Sequence, residues 1–166
     1  IKVIDSLSSD IKKETVLRFR REYFTEQFGT KYVDFFKGLG VEIERGEPYI
    51  NKLFYQTKLS LFNYDSTGVL ENYIYNRPTL FMVNKDFLNC LTNEIEHKYQ
   101  MLLDNNLMFI DEKKLINHIN NHWSNISKWW MSEKNQEIIK EFNKDFNVKP
   151  DKHSMKKLKE SLSKTS

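Results

Sequence analysis

The sequence is poor in cysteine and contains no long hydrophobic run. Cys90 is the single cysteine among 166 residues, so no disulfide can form within the chain, which fits a reducing compartment. Because Cys90 falls inside an apolar helical pattern, we expect a buried structural thiol rather than a nucleophile. No stretch approaches the ~18 consecutive apolar residues of a transmembrane helix. These absences favour a cytoplasmic protein, either free or at the inner face of the membrane.

Several motifs of enzymes and nucleotide-binding proteins are also missing. The chain contains no G-x-S-x-G nucleophile elbow, no P-loop and no G-x-G-x-x-G fingerprint, and it has no internal repeat. It begins with Ile rather than Met and shows no signal-peptide pattern. The length suits one domain, so we expect a single domain that is a piece of a longer chain.

Positive charge is confined to the end of the chain. Residues 144–166 hold seven lysines and three acidic residues, whereas residues 1–143 hold 19 basic and 20 acidic residues. A nearly neutral body argues against nucleic-acid binding, which calls for a basic face. The basic segment 147–166 predicts a solvated, flexible tail that could still contact an anionic membrane.

The hydrophobic pattern predicts an α/β fold. Apolar or alternating runs indicate strands near residues 15–19, 41–44, 59–62 and 79–83, with a short edge strand at 107–110. Helical patterns separate the first four strands, which is typical of a parallel sheet. We therefore expect residues 1–146 to form a Rossmann-like domain around one parallel sheet of about four to five strands, with a helical C-terminal extension.

The remaining segments are predicted to be helices and one loop. A loop is expected at 22–30 and a short helix or turn at 32–39. Helices are expected at 48–57, with Pro48 at the first position, and from residue 66. In the extension, one long amphipathic helix covers 87–103, a second begins at an N-cap formed by Asp111, and a third covers about 133–146. Trp123, Trp129 and Trp130 lie between the last two helices, where packing accounts for them better than a sugar platform does.

Residues 58–80 carry the clearest functional signal. A strand runs into a polar turn, and a helix is predicted to start at Ser66 or Thr67, whose hydroxyls can accept hydrogen bonds from the first-turn amides. The N-terminus of that helix, including the amide of Gly68, directs partial positive charge toward the carboxyl edge of the sheet. A phosphate group would be expected to sit there. Ordinary helix capping accounts for the same residues without any ligand.

Charged and aromatic residues near this turn each allow two interpretations. Arg18 and Arg20 end the first strand, so in one parallel sheet they would face the same edge and could hold a diphosphate without a metal ion. Alternatively, they form a charged strand exit. Glu71 could accept hydrogen bonds from a ribose, although its spacing favours a role beside the helix dipole. Tyr64 and Asp65 either line the pocket or shape the turn.

Two histidines are the remaining candidates for a metal site. His118 and His122 have the i, i+4 spacing that metal ligands can have on a helix, but no third ligand lies nearby in the sequence. We therefore expect no metal site, and no cofactor is predicted.

Four stretches, taken in order, resemble a known family. They are the strand that ends in Arg18 and Arg20, the turn and helix of residues 59–71, the Asn76-Arg77-Pro78-Thr79 entry to the next strand, and the distal helical segments 99–109 and 129–146. In this order, residues 10–146 resemble the C-terminal half of a family of bacterial surface-carbohydrate transferases. That family is similar to GT-B glycosyltransferases, CDP-glycerol glycerophosphotransferases and capsule Kdo transferases.

The resemblance implies a donor-binding domain. It assigns the phosphates and ribose of a nucleotide-activated sugar to Ser66, Thr67 and Glu71, with Arg18 as a phosphate partner. It also implies that the acceptor site and the catalytic base belong to an N-terminal half outside this sequence. The expected function is donor binding in surface-polysaccharide synthesis, and this piece alone is expected to bind without turnover.

Two departures from the family pattern support a second hypothesis. Many relatives carry Pro-His where this chain has Arg20-Arg21, and many carry an acidic residue where this chain has the segment 87–91. The alternative is a non-catalytic, Rossmann-like interaction module whose basic tail contacts a partner or a membrane.

Overall fold

A computed structural model describes residues 2–19, 29–46 and 49–146 of the chain. The helices are α1 (Lys2–Asp5), α2 (Ser9–Lys13), α3 (Gly29–Gly38), α4 (Ile50–Gln56), α5 (Thr67–Ile74), α6 (Asn93–Asp104), α7 (Glu112–His122), α8 (Ile126–Trp130) and α9 (Glu133–Phe146). The strands are β1 (Val16–Arg18), β2 (Glu42–Glu44), β3 (Ser60–Phe62), β4 (Thr79–Met82) and β5 (Met108–Phe109). Lys85–Cys90 and Trp123–Asn125 are short 3₁₀ helices.

The strands form two separate parallel sheets. β1 pairs with β2, with Arg18 opposite Glu44. β4 lies between β3 and β5, so that Phe81 is opposite Phe62 on one side and Met108 on the other. The expectation of one sheet of four to five strands is therefore wrong for the described residues, whose sheets have two and three strands. Apolar spacing identifies a strand but not the backbone partner to which it hydrogen-bonds. Parallel strands alternating with helices still make a mixed α/β fold that is compatible with a Rossmann-like architecture.

Helices cover both faces of the three-stranded sheet. Leu80 of β4 packs with apolar residues of α1, α2 and α7, whereas the adjacent Phe81 packs with those of α5, α6, α8 and α9. Both side chains are fully buried, and burial of one such side chain contributes about 1.5–3 kcal/mol. Since both faces are covered, as in other parallel sheets, the ends of the strands are where a ligand can approach.

The long helix predicted for residues 87–103 is interrupted. The 3₁₀ helix ends at Cys90, Leu91 and Thr92 have extended backbone, and α6 begins at Asn93. A 3₁₀ helix turns every three residues instead of every 3.6, so it rotates the apolar pattern that an α-helix would bury. Cys90 is consequently exposed, and the prediction of a buried thiol is wrong. The short helices α1 and α2 were not predicted.

Other local predictions are confirmed. The carboxylate of Asp111 accepts a hydrogen bond from the Lys114 amide at 2.9 Å, as an N-cap of α7 should. Trp130 is buried, and its Nε1–H donates to Oδ1 of Asn76 at 2.8 Å, which confirms a packing role. The final helix covers Glu133–Phe146.

Some predictions fall on parts of the chain that are not described. Residues 22–28 of the loop predicted at 22–30, Pro48 and the basic tail at 147–166 lie outside the described residues. The last two residues of the predicted loop are helical, because α3 begins at Gly29. Among the helices that are described, none has the length and apolar character needed to cross a membrane.

Candidate functional site

A groove lies along the carboxyl edge of the three-stranded sheet. Its volume is about 580 Å³, which falls within the range of about 300–1,000 Å³ that is usual for small-molecule sites. Its walls come from the segments that follow each of the three strands. The lining residues are Asn63, Met82, Val83, Asn84, Lys85, Ile110, Asp111, Glu112 and Lys113. Open α/β sheets bind ligands at this edge, so the groove is the candidate site.

The N-terminus of α7 opens into this groove and already has an anionic cap. The hydrogen bond from the Lys114 amide is the main cause that holds the pKa of Asp111 below its usual range, and the charge of Lys85 adds to it. Asp111 is therefore ionised at neutral pH and neutralises part of the helix dipole. A second anion entering the groove would be attracted mainly by the ammonium groups of Lys85 and Lys113.

The hydroxyl turn before α5 does not cap its helix in the predicted way. Ser66 is the N-cap residue, but its side chain makes no capping hydrogen bond. Instead, the Ser66 carbonyl accepts from the Val69 amide at 3.0 Å. Oγ of Ser66 is buried and lacks a hydrogen-bond partner among the described residues, while Thr67 is exposed. The start of α5 matches the prediction, and the role of the hydroxyl does not.

A side chain at Gly68 would press against an aromatic ring. A Cβ at Gly68 would lie 2.7 Å from Cε1 and 2.9 Å from Cζ of Phe62, which is closer than non-bonded carbon atoms approach. The Phe62 ring also packs on Phe54 of α4, with ring centroids 6.0 Å apart. The last side chain of β3 thus packs against the first turn of α5 and fixes the angle between them.

Asp65 shapes the turn by reaching a distant helix. Its Oδ2 accepts a hydrogen bond of 2.7 Å from the hydroxyl of Tyr99 on α6. Burial raises the pKa of Asp65, and the hydrogen bond from Tyr99 partly opposes that rise. Burial, with a contribution from the Asp65 charge, also raises the pKa of the fully buried Tyr73. Of the two interpretations of Asp65, the contact supports the one in which it shapes the turn.

Of the two predicted arginine partners, Arg18 is not on the same sheet as this turn. Arg18 ends β1, and its Nη1 lies 2.9 Å from Oε2 of Glu44 on β2. Since β1 and β2 form their own sheet, the reason for expecting Arg18 beside the hydroxyl turn does not hold. Arg20 lies outside the described residues.

Two further predicted site residues, Glu71 and Tyr64, are exposed to solvent. Glu71 is exposed and is the fifth residue of α5, so it stands beyond the first turn where the dipole effect is strongest. Tyr64 is 49% exposed and immediately follows Asn63 of the groove. The structure therefore places Tyr64 and Ser66 in the loop that leaves the groove and Thr67 at the start of α5, with Glu71 about one turn further along that helix.

The two histidines of α7 are packed together with aromatic rings. The ring centroids of His118 and His122 are 4.5 Å apart, and that of Trp129 is 4.6 Å from His118. Burial is the main cause that lowers the pKa of His118 to about 4, and the charge of the nearby His122 adds to this effect. Within the described ranges, no group of three or more His, Cys, Asp or Glu side chains could hold a metal ion.

A family comparison covers nearly the whole chain. The model of the LIC12162 family of transferases matches residues 1–162. The chain belongs to this transferase family. No curated protein and no solved structure matches it. Membership of the family assigns the chain to the transferases, but it does not identify the donor or the acceptor.

The groove residues were not singled out from the sequence, although a signal for them exists. Asn63, Asn84 and Lys113 are polar residues that come within a few positions after a short strand. In a parallel sheet such positions converge at one edge. Sequence reasoning placed the ligand at this edge but looked only at the first of the three segments.

Proposed function

We propose that this chain is the donor-binding part of a transferase that uses a nucleotide-activated sugar in surface-polysaccharide synthesis. The observation that carries the proposal is the groove of about 580 Å³ at the carboxyl edge of the three-stranded parallel sheet. The chain also belongs to a transferase family. The resemblance of residues 10–146 to surface-carbohydrate transferases of GT-B type supplies the finer assignment.

The groove has two of the positive charges that a diphosphate needs, beside the carboxylates of Asp111 and Glu112. Lys85 and Lys113 are two ammonium groups on its walls, and Asn63 and Asn84 add amide groups that can donate to phosphate or accept from a ribose. Charge-assisted hydrogen bonds of this kind are about twice as strong as neutral ones. In this proposal, Ser66 and Thr67 extend the phosphate site toward α5, and Glu71 receives the ribose.

Binding of the diphosphate would serve the reaction as well as affinity. Negative charge builds up on the nucleoside diphosphate as it leaves the sugar, and fixed positive groups that face it lower the barrier. The acceptor and the catalytic base are assigned to another part of the parent protein. The proposal also includes contact with the inner face of a membrane through residues 147–166.

Nucleotide titration tests this function. The ¹⁵N-labelled chain is titrated with UDP, CMP, CDP and GDP, and NMR shift changes are followed residue by residue. We expect one nucleotide to shift residues 63–71, 84–85 and 111–113 together. Lys113→Gln should weaken that binding about tenfold, because one charge-assisted hydrogen bond contributes about 1.5 kcal/mol. Lys134→Gln, which removes an exposed lysine of α9, is the matched control and should leave binding unchanged.

The hydroxyls are tested separately. Ser66→Ala combined with Thr67→Val removes both oxygen atoms with little change of volume. Loss of the shifts at 64–71 in this variant would support a phosphate contact at the start of α5. Binding that is unchanged would restrict the phosphate site to the lysine side of the groove.

The ion pair of Arg18 with Glu44 favours a second candidate function. An arginine whose Nη1 lies 2.9 Å from a carboxylate oxygen already has part of its charge compensated, so it would attract a phosphate less strongly. This observation favours a non-catalytic interaction module in which β1 and β2 have a structural role. A flat NMR response to all four nucleotides, on a folded sample, would decide for this alternative.

A further inference from the structure

An arginine surrounded by aromatic rings lies at the end of β3 and β4 that is opposite to the groove. The guanidinium carbon of Arg77 is 4.1 Å from the ring centroid of Tyr55, 4.9 Å from that of Tyr75 and 5.8 Å from that of Phe54. Arg77 precedes β4, whereas the groove follows it. We refer to Arg77, Tyr55 and Tyr75 as the Arg77 cluster.

The guanidinium of Arg77 is held in place but has hydrogen-bonding capacity to spare. Its Nη1 donates to Oδ1 of Asn72 at 3.3 Å, and the three rings surround it at distances typical of cation–π contact. An arginine carries five N–H donors. Within the described ranges, no carboxylate lies at ion-pair distance from Arg77. A guanidinium that is already ordered loses little side-chain entropy when an oxyanion binds to it.

A further donor without an acceptor belongs to the side chain that Arg77 contacts, Asn72. Asn72 is fully buried, and since its Oδ1 accepts from Arg77, its Nδ2 belongs to the same small region. That Nδ2 has no hydrogen-bond partner among the described residues. Buried donors are normally paired, and an unpaired one calls for a partner such as a water molecule or a ligand. The region is rich in donors and poor in acceptors.

The two tyrosines are open to solvent. Tyr55 is 75% exposed and Tyr75 is 52% exposed, so each presents a flat apolar ring and a hydroxyl beside the fixed positive charge. A saccharide that carries a carboxylate or a phosphate matches all three features. Its oxyanion would pair with Arg77, its C–H face would lie on a ring, and its hydroxyls would meet the phenolic oxygens. A peptide carboxylate would match the guanidinium alone.

We propose that the Arg77 cluster is a binding site for an acidic saccharide, and that it is separate from the groove. The site is on the amino-end side of β3 and β4, so at least the length of β4, about 13 Å for four residues, separates it from the donor site. It goes beyond the proposed function, because it requires no nucleotide and no turnover. In a transferase it would hold an acidic sugar of a polymer at a distance from the reacting end.

The probes are glucuronate, methyl glucoside, acetate and inorganic phosphate, each titrated into the ¹⁵N-labelled chain and followed by NMR. We expect glucuronate to shift the resonances of Tyr55, Tyr75 and Arg77 and to bind at least fivefold more tightly than acetate or phosphate, with no shift from methyl glucoside. Arg77→Gln should weaken glucuronate binding at least tenfold, and Tyr55→Ala about threefold. Tyr49→Ala, at the N-cap of the same helix and 84% exposed, is the matched control and should bind as the wild type does.

Each outcome of these titrations either supports or overturns the saccharide site. Equal binding of acetate, phosphate and glucuronate would mean a simple anion site and would overturn the saccharide assignment. Tighter binding of a glutamate-rich peptide would replace it with a protein partner. Because Tyr55 is so exposed, Tyr55→Ala is expected to remain folded even if Arg77→Gln does not, and an unchanged affinity in Tyr55→Ala would overturn the proposal. Lys113→Gln should leave glucuronate binding intact, so failure of the groove and failure of this site are distinguishable.

Discussion

Acidification from pH 7 to pH 5 is expected to destabilise the protein through one side chain, His118. The imidazole packs against His122, Trp129 and Phe109, with ring centroids between 4.5 and 5.4 Å away. Its Nε2 is buried and has no hydrogen-bond partner among the described residues. A proton added there would create a charge that nothing in this ring cluster compensates, so the folded state resists protonation.

The sign and size of the effect follow from the two pKa values of His118. The folded pKa is about 4, below the ordinary 6.5, so the unfolded chain binds more protons at pH values between them. Stability is therefore intact above about pH 6.5 and decreases as the pH falls toward 4. If the whole difference between the folded and unfolded pKa values contributed, the free energy of unfolding would fall by about 2 kcal/mol between pH 7 and pH 5. Since part of the ring is accessible to solvent, we expect about 1 kcal/mol.

Urea unfolding of the wild type and of His118→Gln at pH 7, 6 and 5 measures this loss. Carboxylates titrate in both proteins, so the relevant quantity is the difference between their free energies of unfolding at each pH. The wild type should lose about 1 kcal/mol more than the variant between pH 7 and pH 5. His97→Gln, at an exposed histidine of α6, is the control and should follow the wild type. Parallel curves for the wild type and His118→Gln would refute the reasoning.

Three further substitutions test the packing around the candidate site, each by urea unfolding. Gly68→Ala should lower the free energy of unfolding by about 0.5–2 kcal/mol, because overpacking against Phe62 outweighs the ~1 kcal/mol gain in helix propensity. The same substitution made together with Phe62→Leu should not show this loss, and a single variant more stable than the wild type would contradict the prediction. Trp130→Phe should cost about 1.5–3 kcal/mol through lost volume and the lost bond to Asn76; a neutral effect would argue against that bond. Asp65→Ala should cost about 1–2 kcal/mol, because the α6 tyrosine hydroxyl loses its acceptor, and no change would show that the turn holds without it.

Local structure was predictable wherever its cause lies in neighbouring residues. The N-cap at Asp111 depends on a side chain at the end of the helix itself, and the start of α5 was also predicted, although the Ser66 hydroxyl makes no capping hydrogen bond. The same holds for the strands, whose apolar spacing is visible in the sequence. The 3₁₀ helix that exposes Cys90 was missed because its residues have an α-helical apolar pattern, and only the tighter turn changes the face on which they lie.

The parts that depend on distant residues were not predictable. Asn76 and Trp130 are 54 positions apart, and nothing in either residue type predicts the hydrogen bond between them. Strand pairing is a property of backbone groups, so nothing in the side chains indicated that Arg18 would lie beside Glu44 in a separate sheet. The sequence predicted the edge of the sheet at which the groove lies but not the residues that line it. Its walls come from three segments that meet only because their strands pair.

The two proposed sites depend on different parts of the fold, and this makes them separable. Asn76 lies between Tyr75 and Arg77, has the left-handed backbone (φ 52°) that asparagine tolerates better than most residues, and accepts hydrogen bonds from Trp130 and Gln136. Helices α8 and α9, at the end of the helical extension, therefore fix the Arg77 cluster, whereas the strand ends and the start of α7 form the groove. A substitution at Trp130 that leaves the chain folded should consequently impair glucuronate binding more than nucleotide binding. The extension would then be the element that adds saccharide recognition to a sheet whose other edge is the proposed donor site.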